Sequence, residues 1–158
     1  MRAVEPRDFE LSGCSTWTAP NGAVFLELAH TLVFPVVVPA NTTMAAQQQP
    51  TDAHFVFVLR QISVYEPPPS GGGSPALLYG RFQWPNGHFL SQQAEDLTDF
   101  YGIGQYARWV GDLELAPASV IRITDLQNTT GTDQVLYVFF EGILRIPLVP
   151  CGSLPRCD

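Results

Sequence analysis

The sequence predicts an all-β domain: an antiparallel β-sandwich, jelly-roll-like, with about eight strands and extended terminal arms. Three observations lead there. The segment from Gln134 to Pro147 alternates with a two-residue period. Leu136, Val138, Phe140, Leu144 and Ile146 are apolar on the even parity, with Gly142 as the one gap. The odd parity, Val135, Tyr137, Phe139, Glu141, Ile143 and Arg145, is mixed. β-Branched and aromatic residues at this period belong to a strand with one face in a core, and Gly142 marks a bend in it. Second, short alternating runs recur along the chain with turn signals between them, most clearly Pro20-Asn21-Gly22 and Pro85-Asn86-Gly87. Third, no stretch carries a long amphipathic helical period. The prolines and unequal loops favour a jelly roll over an up-and-down barrel.

The domain divides into an N-terminal arm (1–19), one sandwich (20–147) and a Pro-rich C-terminal tail (148–158). The arm is aperiodic, with Phe9, Leu11 and Trp17 as isolated apolar points; it reads as extended, with a short first strand as the plain alternative and a segment lying on a neighbouring subunit as the functional one. From Val24 onward, Leu26, Leu28, Leu32 and Phe34 share one parity, interrupted by His30. His30 on that parity reads as a core histidine before it reads as a ligand. Pro35 and Pro39 bracket Val36-Val37-Val38, so this piece is an edge strand or an irregular crossing. Residues 41–52 are polar and read as a surface loop.

In residues 54–66, Phe55, Phe57 and Leu59 share one parity, and Ile62 and Val64 the other. The switch at Arg60-Gln61 implies a bulge or a change of buried face. The low-complexity run of residues 67–75 follows, read as an exposed hairpin loop between paired strands rather than a domain linker. Residues 76–84 alternate again. Residues 92–99 are acidic and compatible with a short helical turn, and 100–111 are rich in aromatics and glycine. Leu113-Glu114-Leu115 is a short strand. Ile121 and Ile123 point inward with Arg122 outward, and 127–132 read as a polar hairpin loop.

Composition narrows the partners. At 158 residues the chain suits one domain with its own core. Only 15% of residues are charged and 46% are hydrophobic, which fits a subunit partly covered in an assembly. A compact domain rich in Thr, Ser and Gln would read the same way. The net charge is −7, and all eight strong cations are arginines spread singly along the chain. No basic stripe exists, so neither nucleic acid nor an anionic membrane is the expected partner. No signal-like apolar run or membrane-length span is found, which places synthesis in the cytoplasm. Cys14, Cys151 and Cys157 read as free thiols in a reducing compartment, although the last two are spaced to close a small loop. Asn41-Thr42-Thr43 and Asn128-Thr129-Thr130 match the glycosylation triplet and read as turn chemistry.

No constellation points to catalysis, a cofactor or a metal. Glu95, Asp96 and Asp99 crowd one loop near His88, but local spacing cannot make them converge, and a solvated acidic loop is the simpler reading. Ser91 and Ser119 lack a nucleophile-elbow context. Gly102-Ile103-Gly104 is too short for a phosphate cradle. The expectation is a non-enzyme. Six residues stand out as a partner interface: Trp17, Trp84, Tyr101, Tyr106, Arg108 and Trp109. Trp, Tyr and Arg dominate protein contacts, and a ring platform also suits sugars. The plain alternative is that two or three of these rings fill the ends of the sandwich.

The second half carries an ordered set of motifs. They are Phe-Gln-Trp-Pro-Asn-Gly-His-Phe-Leu-Ser (82–91), Phe-Tyr-Gly-Ile-Gly-Gln (100–105), Leu113-Glu114-Leu115 with Pro-Ala-Ser-Val-Ile (117–121), Asp-Leu-Gln-Asn (125–128) and Phe-Glu-Gly-Ile-Leu-Arg (140–145). This order resembles small jelly-roll structural proteins of tailed bacteriophage particles, of the capsid decoration or cement type. The resemblance implies a non-enzymatic virion protein on the capsid exterior. Its partners would be the major capsid protein and copies of itself, and it would bind across capsid subunits to stabilise the shell. A tail or head-tail connector subunit and a carbohydrate-binding module are the rival roles.

Overall fold

The computed structural model describes residues 14–67, 78–97 and 108–148. Ten strands lie within them: β1 (Cys14–Thr18), β2 (Val24–Val38), β3 (Thr42–Met44), β4 (Gln47–Pro50), β5 (Val56–Tyr65), β6 (Leu78–Gln83), β7 (Glu95–Asp96), β8 (Arg108–Leu115), β9 (Val120–Asn128) and β10 (Gln134–Pro147). One sheet has the order β1-β2-β10-β5-β8; the other runs β3-β9-β6-β7, with β4 also on β9. Every pairing is antiparallel. From β2 to β10 the chain crosses between the sheets at every step but two: β3 to β4, and β6 to β7. This is a jelly-roll sandwich, as the sequence predicts.

β10 is the central strand of the larger sheet and has the bounds read from its alternation. It pairs with β2 over 14 residues, from Gln134↔Val38 to Pro147↔Phe25. On its other side it pairs with β5. Its even residues Leu136, Val138, Phe140 and Leu144 enter the core with Phe57, Leu59, Ile62 and Val64 of β5. From the opposite sheet come Leu78 and Phe82 of β6 and Ile121, Ile123 and Leu126 of β9. Phe82 meets Phe140 edge-to-face across the sandwich, 5.9 Å between centroids, an arrangement worth about 1 kcal/mol beyond burial.

The parity switch in β5 is a bulge. Gln61 pairs with Glu141 and Leu59 with Gly142, so Arg60 has no opposite number on β10. The β8 register breaks at the same place. The extra residue lets Phe57 and Leu59 share the inner face with Ile62 and Val64, although their sequence parities differ. Gly142 sits beside this bulge. A Cβ there would lie 2.0 Å from the Val58 carbonyl oxygen, so the close approach of β5 requires glycine.

Both Pro-Asn-Gly turns are built alike. Gly22 N–H donates to Ala19 O at 2.9 Å, and Gly87 N–H to Trp84 O at 2.9 Å. The two glycines have φ of 84° and 86°, a region other residues rarely enter. In each turn the asparagine Oδ1 accepts the N–H two residues on, Ala23 or His88.

Four expectations are corrected. Residues 14–18 are a strand on β2 rather than part of an extended arm; residues 1–13 lie outside the described residues. Residues 41–52 are not a loop but the edge strands β3 and β4. They share one register on β9, Met44 opposite Leu126 and Gln47 opposite Ile123; the bulge in β9 is against β6, where Tyr79 pairs with Gln127 and Arg81 with Thr124, and Asp125 there has φ 53°. With β1, β3 and β4 included, the described strands number ten. The connections after β5 and after β9 are not hairpins, because β5 and β6, and β9 and β10, lie in different sheets. Asn128 locks the second crossing. It is 2% exposed, and its Nδ2 donates to Val38 O and Thr132 O, both at 2.9 Å. Its Oδ1 accepts from Thr130 N–H at 2.9 Å.

Candidate interaction surface

The odd residues of β2 and β10, with their β5 partners, form the outer face of the larger sheet. Cross-strand register sets them in rows. Val37 lies beside Val135; Pro35 beside Tyr137 and Tyr65; Val33 beside Phe139 and Ser63. Val37 is 56% exposed, Tyr65 52%, Val33 48% and Val135 38%. Tyr137 and Phe139 are half-buried between them, and the Tyr65 and Tyr137 rings are 6.4 Å apart. No ionised side chain interrupts these three rows. A contiguous exposed apolar patch on a sheet face marks a contact surface.

The next row is polar. Thr31, Glu141 and Gln61 are in register, and Gln61 Nε2 donates to Glu141 Oε2 at 2.6 Å. The Arg60 bulge and the missing side chain at Gly142 leave a shallow cleft here of about 370 Å³. Arg60 lines it and pairs outward with Asp112 at 3.0 Å. His30 also borders it from the inner parity, its ring edge-on to Phe57 at 5.9 Å. The histidine therefore has the packing role that its strand position implies.

Beyond the cleft the face closes on a charged row. Arg145, 9% exposed, pairs with Glu27 at 3.0 Å and with Glu114, and its guanidinium lies 3.8 Å over the Trp17 ring. Glu27 is nearly buried, so Arg145 supplies the positive charge that its carboxylate needs. Glu114 is 61% exposed, and its share is small. This row joins β1, β2, β10 and β8 and holds the edge strand β1 in place.

Of the six residues singled out in the sequence, Trp17 and Trp84 are placed away from this patch. Trp17 is occupied within the chain, under Arg145 and 5.5 Å from Phe25. Trp84 is corrected from surface to core: it is 8% exposed and part of the main apolar cluster, so its ring fills the end of the sandwich. That removes one ring from a sugar platform. Tyr101 and Tyr106 lie outside the described residues. Arg108 and Trp109 open β8, in register with Ile62 and Gln61. Of the acidic loop, Glu95 and Asp96 form β7 against Gly80 and Tyr79, and Asp99 lies outside the described residues. Among the described residues no three His, Cys, Asp or Glu side chains converge as a metal site would require.

The odd parity of β10 reads as mixed over its whole length, which hides the patch in the sequence. The usable signal was local: Val135, Tyr137 and Phe139 make both parities apolar from 135 to 140. A surface of this kind binds through shape and desolvation. The sequence matches no protein-family model, and no curated protein is detectably similar to it.

Proposed function

We propose that the chain is a non-enzymatic virion structural protein, a capsid decoration or cement protein that binds across major capsid subunits and stabilises the shell from outside. The observation that carries this reading is the jelly-roll strand order. It is the fold that the motif resemblance implies, and the motifs that fall on described residues lie on its strands and turns. Phe82 ends in β6 and the Pro85–Gly87 turn follows; Leu113–Leu115 close β8; the 125–128 motif ends β9; the 140–145 motif is the heart of β10.

Physical considerations support the role. A chain of net charge −7 is repelled by packaged nucleic acid and tolerated on the exterior. A cement works by many modest contacts repeated over a lattice, so each interface need only exceed about 1,000 Å² while symmetry supplies avidity. Quantitative mass spectrometry of purified particles tests the reading. The expected result is a copy number comparable to that of the main shell subunit. Absence from particles overturns it, and a handful of copies assigns the chain to the tail or connector instead.

A further inference from the structure

We propose that the uncharged outer face of the larger sheet, made by Val33, Val37, Tyr65, Val135, Tyr137 and Phe139, docks the same face of a second copy of this chain. The inference concerns the isolated protein and does not rest on the virion reading.

Charge selects the partner. Two copies each carrying −7 repel, and they associate only where the contact keeps carboxylates out of its centre. The three rows hold only Val, Pro, Tyr, Phe and Ser, and the flanking carboxylates stand outside them: Glu141 one row beyond Phe139, and Asp133 two residues before Val135, its Oδ1 accepting the Ala40 N–H. A cationic partner would be met by carboxylates at the centre of its site rather than at the rim. The arrangement suits a neutral contact between like-charged molecules.

Geometry selects the mode. Among the described residues β1 covers the edge of β2 only as far as Leu28. Past that point Pro35 lies in the edge strand opposite Tyr137. It has no N–H to offer a newcomer, and proline is a common way to block edge-to-edge pairing. Face-to-face stacking is the route left open. Two sheet faces pack about 10 Å apart with side chains interdigitating, the packing that the inner faces already use. A two-fold axis through the patch places the same rows on both sides.

Area sets the strength. Three strands and five residues project to roughly 14 Å by 17 Å. That is well short of the ~800 Å² per partner of a standard interface. The apolar rows are therefore the centre of the contact and the Thr31–Glu141–Gln61 row its polar rim. The dimer is expected to be micromolar rather than nanomolar.

Sedimentation velocity on the full chain, over a series from low to high micromolar, tests this. Wild type should pass from monomer to dimer. Val33→Asp and Val37→Asp each place a carboxylate on both sides of the contact and should weaken it at least ~10-fold. Val37→Ser serves as a milder second variant. Val24→Asp, at an exposed position near the start of β2 (39%), should leave association unchanged. Thermal melts by circular dichroism verify that each variant is folded. A wild type that stays monomeric throughout the series overturns the proposal, whether the patch is bare or covered by the protein's own residues 1–13. Association equally strong in both aspartate variants also overturns it.

Discussion

At Gly142 the alternation of β10 lapses for a reason that lies on another strand. The Val58 carbonyl occupies the space a Cβ would need, at 2.0 Å. Gly142→Ala must push β5 away from β10 in the middle of the sheet, at a cost of about 3 kcal/mol. Urea denaturation should show a lowered midpoint; a stability within ~0.5 kcal/mol of wild type would contradict the close approach. The gap was visible in the sequence. Its cause was not, because it depends on a bulge contributed by residue 60. Asp52 gives a second test at this scale. Its Oδ1 accepts the backbone N–H of His54 and of Phe55, each at 2.8 Å. These bonds favour the ionised carboxylate and hold its pKa below the ordinary 3.8, outweighing the opposing effect of burial. A depressed folded-state pKa means the contribution is present above 3.8 and is lost as pH falls through the lower folded value. Asp52→Asn keeps an acceptor and removes the charge. The stability gap between wild type and this variant should therefore be flat near neutrality and close in strong acid. A gap that widens on acidification would contradict the sign.

Among the elements, β5 is where pattern and structure are most closely tied. Its switch in apolar parity at Arg60-Gln61 was legible as a bulge or a change of face, and register settles it as a bulge. The side chain of Arg60 matters little: its pair with Asp112 is 35% and 53% exposed, so Arg60→Ala should cost under about 1 kcal/mol. Deleting residue 60 tests the bulge itself. Leu59 and Gln61 then stand as neighbours opposite Gly142 and Glu141, and Phe57, Leu59, Ile62 and Val64 keep one face by plain alternation. The deletion variant should therefore still fold, with native-like amide dispersion in a proton NMR spectrum. Collapsed dispersion would refute the bulge. Other elements were illegible for physical reasons. β3 and β4 are edge strands of Thr and Gln with no apolar alternation to betray them. The low-complexity segment after β5 and the Asn-Thr turn after β9 announce a reversal but not which sheet receives the next strand. The candidate surface was hidden for a similar reason: an outward apolar row looks like an inward one until the partner strands fix the faces.

At the largest scale the described residues form a two-layer slab whose outer faces differ. On the smaller sheet Arg81 meets Asp125 at 3.5 Å, donates to Ser91 O at 3.2 Å and stacks over Phe89 at 3.8 Å. Arg122 adds a second guanidinium to the same sheet. On the larger sheet the three rows from Val37 to Phe139 carry no charge, and charge gathers outside them, from Glu141 and the Arg60–Asp112 pair to the row around Arg145. Net charge and local charge therefore pull the association of two copies in opposite senses: −7 against −7 at long range, and neutral apolar contact at short range. Salt separates the two. The Debye length falls from ~30 Å at 0.01 M to ~10 Å at 0.1 M, which screens the repulsion and leaves the apolar contact in place. Raising the salt over that range should tighten self-association by about three- to tenfold. A contact built instead on arginine and carboxylate pairs would loosen over the same range, because screening weakens the attraction that holds it. Sedimentation at the two salt concentrations, with Val33→Asp alongside, distinguishes these outcomes. Tightening that is absent from the variant assigns the contact to the neutral face, and loosening assigns it elsewhere on the slab.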